Sequence, residues 1–118
     1  MKRFHISISV ADFAGSVADY SNRLGCRPCV VAEGRYALWK TDLLNFTISC
    51  KEGQAAGQVR HIGFEDDLLT EFQQKIDSNG IVWEYFSADT QMQEVKEKFG
   101  STLEKQEKDK PDPATSAG

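Results

Sequence analysis

Alternating hydrophobic and polar positions predict one helix and four strands in the first fifty residues. Residues 4–10 alternate between apolar and polar side chains, which indicates a strand with His5 on its polar face. Asp12 then caps a helix that ends before Gly25. The apolar stripe of this helix consists of Phe13, Val17, Tyr20 and Leu24. Three strand-like runs follow at residues 29–32, 35–40 and 44–50. The order is therefore β-α-β-β-β.

The pattern restarts after a glycine-containing linker at residues 51–58. A strand begins at Val59 and places His61 on its polar face, and Asp66 or Asp67 caps a second helix. Leu69, Phe72 and Ile76 form the apolar stripe of this predicted helix. A turn at residues 77–80 leads into a strand at residues 81–86. The two histidines thus occupy equivalent points of an internal repeat.

The end of the chain departs from the repeat. Between residues 90 and 103 apolar side chains recur at helical spacing, which predicts a third helix over an open edge or apolar face. Charged, proline and small residues dominate residues 104–118, and we expect a disordered tail there. Residues 1–103 are predicted to form a single domain, with module one at 2–50, the linker at 51–58, module two at 59–87 and the extra helix at 90–103.

Composition narrows the classes of partner. The chain has 118 residues, a net charge of −4 and a pI near 5.1, which argues against nucleic-acid or anionic-membrane binding. No apolar run approaches the roughly 20 residues that span a bilayer, and the N-terminus lacks the pattern of a secretory signal. The three cysteines do not suggest a disulfide framework. We therefore expect a cytoplasmic protein.

The two histidines are candidate metal ligands, because imidazole is the commonest side-chain ligand. An ordinary surface or core histidine is the alternative for each. Two imidazoles hold a metal weakly, so a carboxylate is needed, and the candidate is Glu84 between Val82 and Phe86 on one strand face. An exposed glutamate on an edge strand remains equally open. The other acidic candidates are Glu65, Glu94 and Glu97. Of these, Glu65 lies roughly 13 Å along the strand from His61, too far to share the same ion.

Three segments resemble the vicinal-oxygen-chelate superfamily, which includes glyoxalase I, bleomycin-resistance proteins and extradiol dioxygenases. They are KRFHISISVADFAGSVADYSNRLGCRPCVV, RYALWKTDLLNFTIS and VRHIGFEDD, and they are most similar to the cadmium-induced and organoarsenical-lyase branch. The segment DSNGIVWEYF (residues 77–86) keeps the spacing of the superfamily's Asp-Pro-Asp-Gly-x-x-Trp-Glu-x-Phe motif, with Ser78 in place of proline. The resemblance covers residues 2–87. It implies that His5, His61 and Glu84 bind a divalent metal (Fe, Mn, Ni or Zn) that chelates vicinal substrate oxygens.

The resemblance also implies a fold. We expect an α+β protein in which paired βαβββ-type modules form a curved mixed sheet, an incomplete barrel. The superfamily usually has a two-stranded hairpin between its second helix and its Trp-Glu strand, and here the predicted helix runs straight into the turn. The second module is therefore predicted as about β-α-β plus a C-terminal helix. In the superfamily's strand order, 1-4-3-2, the missing pair lies at the edge, so the ligand-bearing strands remain neighbours.

The remaining chemistry is assigned as follows. Ser7, Trp39 and Ser49 are the predicted substrate-binding residues; Tyr36 and Trp39 lie on opposite strand faces, so only one can line a pocket. Cys26 and Cys29 form a Cys-x-x-Cys with a conceivable redox or metal role, or simply flank a turn. Cys50 is predicted to be a core residue.

Three functions remain open from the sequence. The first is a metal-dependent lyase or dioxygenase, the second a metal-free small-molecule binder of the bleomycin-resistance kind, and the third a degenerate, non-catalytic structural dimer. We expect a small-molecule ligand and, because exposed sheet edges are usually covered, a homodimer. The catalytic residues, the reaction and the substrate do not follow from the sequence.

Overall fold

The computed structural model describes residues 2–103, which form an α+β fold with one seven-stranded mixed sheet. The strands are β1 (Lys2–Ser9), β2 (Val30–Ala32), β3 (Tyr36–Lys40), β4 (Leu44–Ser49), β5 (Val59–Asp66), β6 (Gln73–Ile76) and β7 (Val82–Phe86). The helices are α1 (Phe13–Leu24) and α2 (Ala88–Phe99), the latter followed by a 3₁₀ turn at Gly100–Thr102. The strand order is β2-β3-β4-β1-β5-β7-β6, and the sheet is open.

The two histidine-bearing strands lie side by side in the centre of the sheet. β1 pairs with β4 in parallel and with β5 in antiparallel orientation. β5 in turn pairs in parallel with β7, which forms an antiparallel hairpin with the edge strand β6. The parallel pairing of β5 with the Trp-Glu strand β7 is as predicted.

The first helix covers one face of the sheet, which we call the outer face. Asp12 caps α1 by accepting a hydrogen bond from the Gly15 N–H at 3.0 Å, and Gly25 ends it in the left-handed conformation at φ 74°. Both caps are as predicted. Below α1 lies a core of buried side chains, which includes Ala37, Trp39, Phe46 and Ile48. Here Trp39 also donates an indole hydrogen bond to Ser21 at 3.1 Å.

The C-terminal helix covers part of the opposite face, which we call the inner face. A capping box between Ser87 and Thr90 starts α2 two residues before the predicted boundary. Val95 packs against Val30 and Leu38 of the strands at that edge. Beyond the helix, Leu103 forms a β-bridge with Ala32 of the edge strand β2. The prediction of a helix that covers an open edge or apolar face is confirmed.

The predicted helix between Asp66 and Ile76 is wrong. The chain makes a turn after β5 and then forms β6, so the second half is β-β-β rather than β-α-β. The physical reason is the segment at residues 77–80: its Asn-Gly sequence favours a tight hairpin turn, and a hairpin requires a strand on each side. Ile76 is 71% exposed as a result, whereas Phe72 stacks on Phe86.

Some predictions concern features away from the sheet. Among residues 2–103 no helix is long and apolar enough to cross a membrane. The three cysteines are free thiols. Cys50, predicted as a core residue, is half-buried and packs against the outer core. The tail predicted as disordered, residues 104–118, lies outside the described residues.

Candidate metal centre

Three side chains from the central strands meet on the inner face. His5 of β1, His61 of β5 and Glu84 of β7 each offer one ligand atom, and these atoms lie within 4.8 Å of one another. His61 Nε2 is 3.0 Å from Glu84 Oε1, and the two imidazole rings stack with centroids 4.9 Å apart. The three residues that the resemblance implied as ligands are therefore neighbours in space.

Sheet register explains how they meet. Gly63 is paired with His5 on one side and with Glu84 on the other, so the three positions form one row across the sheet. The row requires glycine in its centre, because a Cβ at residue 63 would lie 1.7 Å from the backbone carbonyl oxygen of Glu84. His61 enters from two residues earlier on β5, a position that faces the same side of the sheet.

The orientation of His5 is fixed by Asn45. His5 Nδ1 lies 2.9 Å from Asn45 Oδ1 and 3.2 Å from the Asn45 carbonyl oxygen. Both partners are oxygens that only accept, so Nδ1 carries the proton and Nε2 keeps its lone pair for a ligand. This is the tautomer found in metal-bound histidines whose second nitrogen donates to a carbonyl oxygen.

The side-chain orientation of Asn45 is itself determined by buried charges. The Asn45 amide donates to Glu65 Oε1 at 2.8 Å and to Gln91 Oε1 at 2.9 Å. Glu65 also binds Arg3 at 2.8 Å and Lys40 at 3.2 Å. Although burial raises the pKa of Glu65, the hydrogen bond from Asn45 and the two cations lower it below its ordinary value. The carboxylate thus stays ionised, and its acceptor oxygen keeps the Asn45 amide nitrogen turned away from His5.

Burial determines the protonation of the three candidate ligands. It lowers the pKa of His5, and together with the neighbouring His5 it lowers the pKa of His61 to about 3. Both imidazoles are therefore neutral at pH 7, the form that binds metals. Burial raises the pKa of Glu84, while a hydrogen bond from Gln74 of β6 at 3.0 Å opposes this change.

These donors fit a divalent ion. Two imidazole nitrogens and one carboxylate oxygen are the ligand set of the two-histidine, one-carboxylate facial triad, which leaves further positions open. Metal–nitrogen bonds are about 2.1 Å long, so neighbouring ligand atoms of such a triad lie roughly 3 Å apart. His61 Nε2 and Glu84 Oε1 are 3.0 Å apart, and His5 offers a nitrogen within 4.8 Å of both.

A cavity of about 790 Å³ opens above the three residues. Ser7 and Ser49 line it, and their assignment as substrate-binding residues stays a prediction. The prediction that Trp39 lines the pocket is wrong, because its side chain is fully buried in the outer core beneath α1. Tyr36, on the other face of the same strand, lines the cavity instead and stacks on Phe99.

The other acidic candidates lie elsewhere. Glu65 is engaged by Arg3 and Lys40, as expected of a residue too far along β5 to share the ion. Glu94 is at the cavity wall, paired with Lys98 at 3.1 Å, and Glu97 is exposed on α2. Within residues 2–103, the group of potential ligands contains none of these three carboxylates and neither cysteine of the Cys-x-x-Cys pair.

Sequence reasoning missed the residues that support the ligands. Asn45 comes next to His5 through the parallel pairing of β4 with β1, which is a long-range contact. Gln91 comes from a helix whose docking site is not encoded locally. Gln74 lies in the segment that was wrongly predicted as a helix. The Asn-Gly sequence that follows it favours a hairpin, which would place Gln74 on a strand beside Glu84.

No known protein family matches the chain, and no curated protein sequence is significantly similar to it. The resemblance described above therefore rests on the residues quoted for it.

Proposed function

We propose that the protein is a metal-dependent lyase or dioxygenase of the vicinal-oxygen-chelate type, in which His5, His61 and Glu84 bind one divalent ion. The observation that carries this proposal is the meeting of three potential ligand atoms within 4.8 Å at a cavity of about 790 Å³. Iron, manganese, nickel and zinc all suit two imidazoles and a carboxylate. When bound, such an ion supplies Lewis-acid polarisation of a substrate oxygen.

The chain's own residues support this role in three ways. Asn45 holds His5 with Nε2 free, Gln74 orients Glu84, and the neutral histidines need no deprotonation before binding. Ser7 and Ser49 line the cavity, and their hydroxyl groups are the proposed partners of a substrate oxygen. The arrangement suits a small ligand that presents two neighbouring oxygens to the open positions.

The strand order supports a paired-module arrangement as part of the same proposal. The first half has the spatial order β1-β4-β3-β2 and the second half β5-β7-β6, both reading outward from the centre. In each half the first strand carries a histidine and has a parallel neighbour. The second half then corresponds to a module that has lost its helix and one edge strand.

Metal analysis tests the proposal. We expect stoichiometric divalent metal in the protein purified without chelators, and its loss in His5→Ala and in Glu84→Gln. Glu94→Gln is the matched control, because it removes a cavity carboxylate outside the ligand group. Circular dichroism and thermal unfolding show whether each variant folds. No metal after anaerobic reconstitution of the wild-type protein overturns the proposal, and metal retained in Glu84→Gln removes that residue from the ligand set.

The second candidate function is metal-free binding of a small molecule. It is favoured by the direct contact of 3.0 Å between His61 Nε2 and Glu84 Oε1, which satisfies both groups without an ion. Tyr36, Phe72 and Phe86 add aromatic surface to the cavity. A folded wild-type protein that takes up no metal but binds aromatic ligands supports this alternative over the first.

We also propose a homodimer in the cytoplasm. All four residues of the edge strand β6 are exposed, and an unpaired edge is usually covered by another chain. Three free thiols suit a reducing compartment. Sedimentation at micromolar concentration tests the dimer, and a monomer contradicts it.

A further inference from the structure

The wall of the cavity is more basic than the protein as a whole. Its charged side chains comprise four cations and three carboxylates, whereas the chain carries a net charge of −4. The cations are Arg35, Lys51, Arg60 and Lys98. A divalent ion held by the ligands would add further positive charge. Such a cavity favours anionic over neutral molecules of the same shape.

Arg60 reaches this cavity because of an irregularity in β5. Ser7 pairs with His61 but the next residue of β1, Ile8, pairs with Val59, so Arg60 is the extra residue of a β-bulge. In a regular strand the neighbour of His61 would point to the opposite face. A bulge redirects the side chain of its extra residue. Arg60 and His61 consequently line the same cavity although they are adjacent in sequence.

Hydrogen bonds to Ser9 fix the backbone on the N-terminal side of the bulge. The Ser9 N–H donates to the Gln58 carbonyl oxygen at 2.8 Å, and the Gly57 N–H donates to the Ser9 carbonyl oxygen at 2.7 Å. The Ser9 hydroxyl also donates to the Ala55 carbonyl oxygen. Hydrogen bonding between β1 and the segment before β5 therefore resumes next to the bulge.

Within residues 2–103, Arg60 is the arginine of the wall that lacks an ion-pair, hydrogen-bond or ring partner. Lys98 pairs with Glu94 at 3.1 Å, and Arg35 lies over the ring of Phe99 at 4.8 Å. In the part of the chain that the structure describes, the Arg60 side chain makes no ion pair or hydrogen bond. It lines the same cavity as the candidate ligands His61 and Glu84.

We propose that Arg60 is an anion-binding residue, and that the ligand of the cavity is a small carboxylate whose neighbouring carbon carries a second oxygen. This inference rests on the proposed function, because the two oxygens would occupy the open metal positions. Arginine donates two parallel hydrogen bonds to a carboxylate and remains charged at every physiological pH. The guanidinium neutralises the ligand's charge beside the ion.

Ligand titrations of Co²⁺-loaded protein test the role of Arg60, with the visible absorption of the ion as the readout. Lactate is the anionic probe, and 1,2-propanediol is a neutral counterpart with oxygens on the same two neighbouring carbon atoms. Inorganic phosphate distinguishes carboxylates from other oxyanions. The variant is Arg60→Gln. Arg23→Gln is the matched control, since it removes an equal charge from an exposed site on α1. We expect lactate to bind wild type and Arg23→Gln equally, and Arg60→Gln about tenfold more weakly.

The titrations with 1,2-propanediol and phosphate, and calorimetry of the metal-free protein, distinguish the possible results. Binding of 1,2-propanediol should be weaker than that of lactate and unchanged in Arg60→Gln. Equal lactate affinities in wild type and Arg60→Gln overturn the inference while leaving the metal site intact, and phosphate binding stronger than lactate binding overturns the carboxylate assignment. If the protein binds no metal, the proposed function fails, and calorimetry of the metal-free protein decides the role of Arg60. Lactate binding that Arg60→Gln abolishes then supports an anion site, and no lactate binding overturns it.

Discussion

In the first half of the chain α1 covers the outer face of the sheet, whereas in the second half β6 stands in the place of the predicted helix. The outer core under α1 contains fully buried Ala37, Trp39 and Ile48. The corresponding face of β5 and β7 presents Phe64 and Trp83, which are half-buried and stack on each other with centroids 6.4 Å apart. Both halves nonetheless deliver a histidine to the same point of the inner face.

The difference shows that strand pairing alone can position the ligands. β5 has β1 on one side and β7 on the other, so its register is fixed without a helix. A helix contributes buried apolar area instead, worth about 25 cal/mol per Å². We therefore expect the first half to supply most of the stability. The second half depends on its pairing with β1 and on the close contact between β5 and β7.

Gly63→Ala should have the largest effect, because it breaks that close contact. The added methyl group would lie 1.7 Å from the Glu84 carbonyl oxygen, which is backbone and cannot move aside locally. Overpacking of this kind costs about 3 kcal/mol of the free energy of unfolding. Since β7 carries Glu84, metal binding should be lost as well. Urea unfolding and metal analysis provide the measurements.

Gly100→Ala is the matched control for this substitution. Gly100 has φ −50°, and its added Cβ would meet no atom within 4 Å. Its substitution should leave stability unchanged or slightly raised, because alanine reduces the entropy of the unfolded chain. Amide exchange adds a sharper comparison: in Gly63→Ala, β7 should lose protection before β3 and β4. A uniform loss of amide protection across the sheet would contradict the expectation that the first half is the more stable one.

Asn45→Leu tests the support that the first half gives to His5. The substitution removes the side-chain acceptor of the Nδ1 proton and leaves Glu65 and Gln91 with one partner fewer in a buried site. We expect a loss of about 2 kcal/mol in stability. The affinity for metal should fall about 10- to 100-fold, because residues that orient a ligating histidine have effects of this size.

Thr47→Val is the control for Asn45→Leu. Thr47 is buried two residues further along β4, on the same face of the sheet. Its replacement keeps the shape and should leave the metal affinity unchanged. A metal affinity unaffected by Asn45→Leu would show that the backbone carbonyl of residue 45 is sufficient to orient His5.

The pH dependence of stability should report the buried His61 of the second half. Its pKa is lowered from 6.5 to about 3 by burial and by His5, so between these values the unfolded chain binds a proton that the folded protein excludes. Stability therefore falls as the pH falls through this window, by about 1.4 kcal/mol per pH unit. The raised pKa of Glu84 acts in the opposite direction above 4.5, so Glu84→Gln is the suitable background.

The measurement compares Glu84→Gln with Glu84→Gln/His61→Gln. Urea unfolding of the metal-free proteins at several pH values within the window gives the two slopes. The first protein should lose stability more steeply on acidification than the second. Parallel curves would mean that His61 binds its proton at the same pH in the folded and the unfolded chain, so that burial does not lower its pKa.

The same contrast between the halves separates what could be predicted from sequence from what could not. Every element of the first half was predicted to within one or two residues, because clean alternation and two local caps determine it. In the second half Leu69, Phe72 and Ile76 match a helical spacing by coincidence, whereas the Asn-Gly sequence within residues 77–80 favours the hairpin that forms.

Some residues of the candidate site could be predicted from the sequence and others could not. His5, His61 and Glu84 lie on strands whose alternation is visible in the sequence, so their shared face could be predicted. Asn45 and Gln91 act through contacts between residues 40 or more positions apart, which no local pattern encodes. Arg60 depends on a bulge, and a bulge is a property of pairing with another strand rather than of one segment.

Asp77→Ala should have the smallest effect, confined to the second half. Asp77 closes the hairpin by accepting hydrogen bonds from the Asn79 N–H at 2.8 Å, the Ile81 N–H at 3.0 Å and the Trp83 indole at 2.8 Å. Without these bonds β6 should fray, and amides of β6 should exchange severalfold faster. Metal affinity should fall modestly, because Gln74 of β6 orients Glu84.

Asp42→Ala is the corresponding change in the first half, since Asp42 is exposed in the turn between β3 and β4. Protection of β3 and β4 should be unaffected there, because the core under α1 holds both strands. If both substitutions leave exchange and metal affinity unchanged, β6 stays paired with β7 without the Asp77 hydrogen bonds. The hairpin of the second half would then be held by strand pairing and side-chain packing, as β3 and β4 are in the first half.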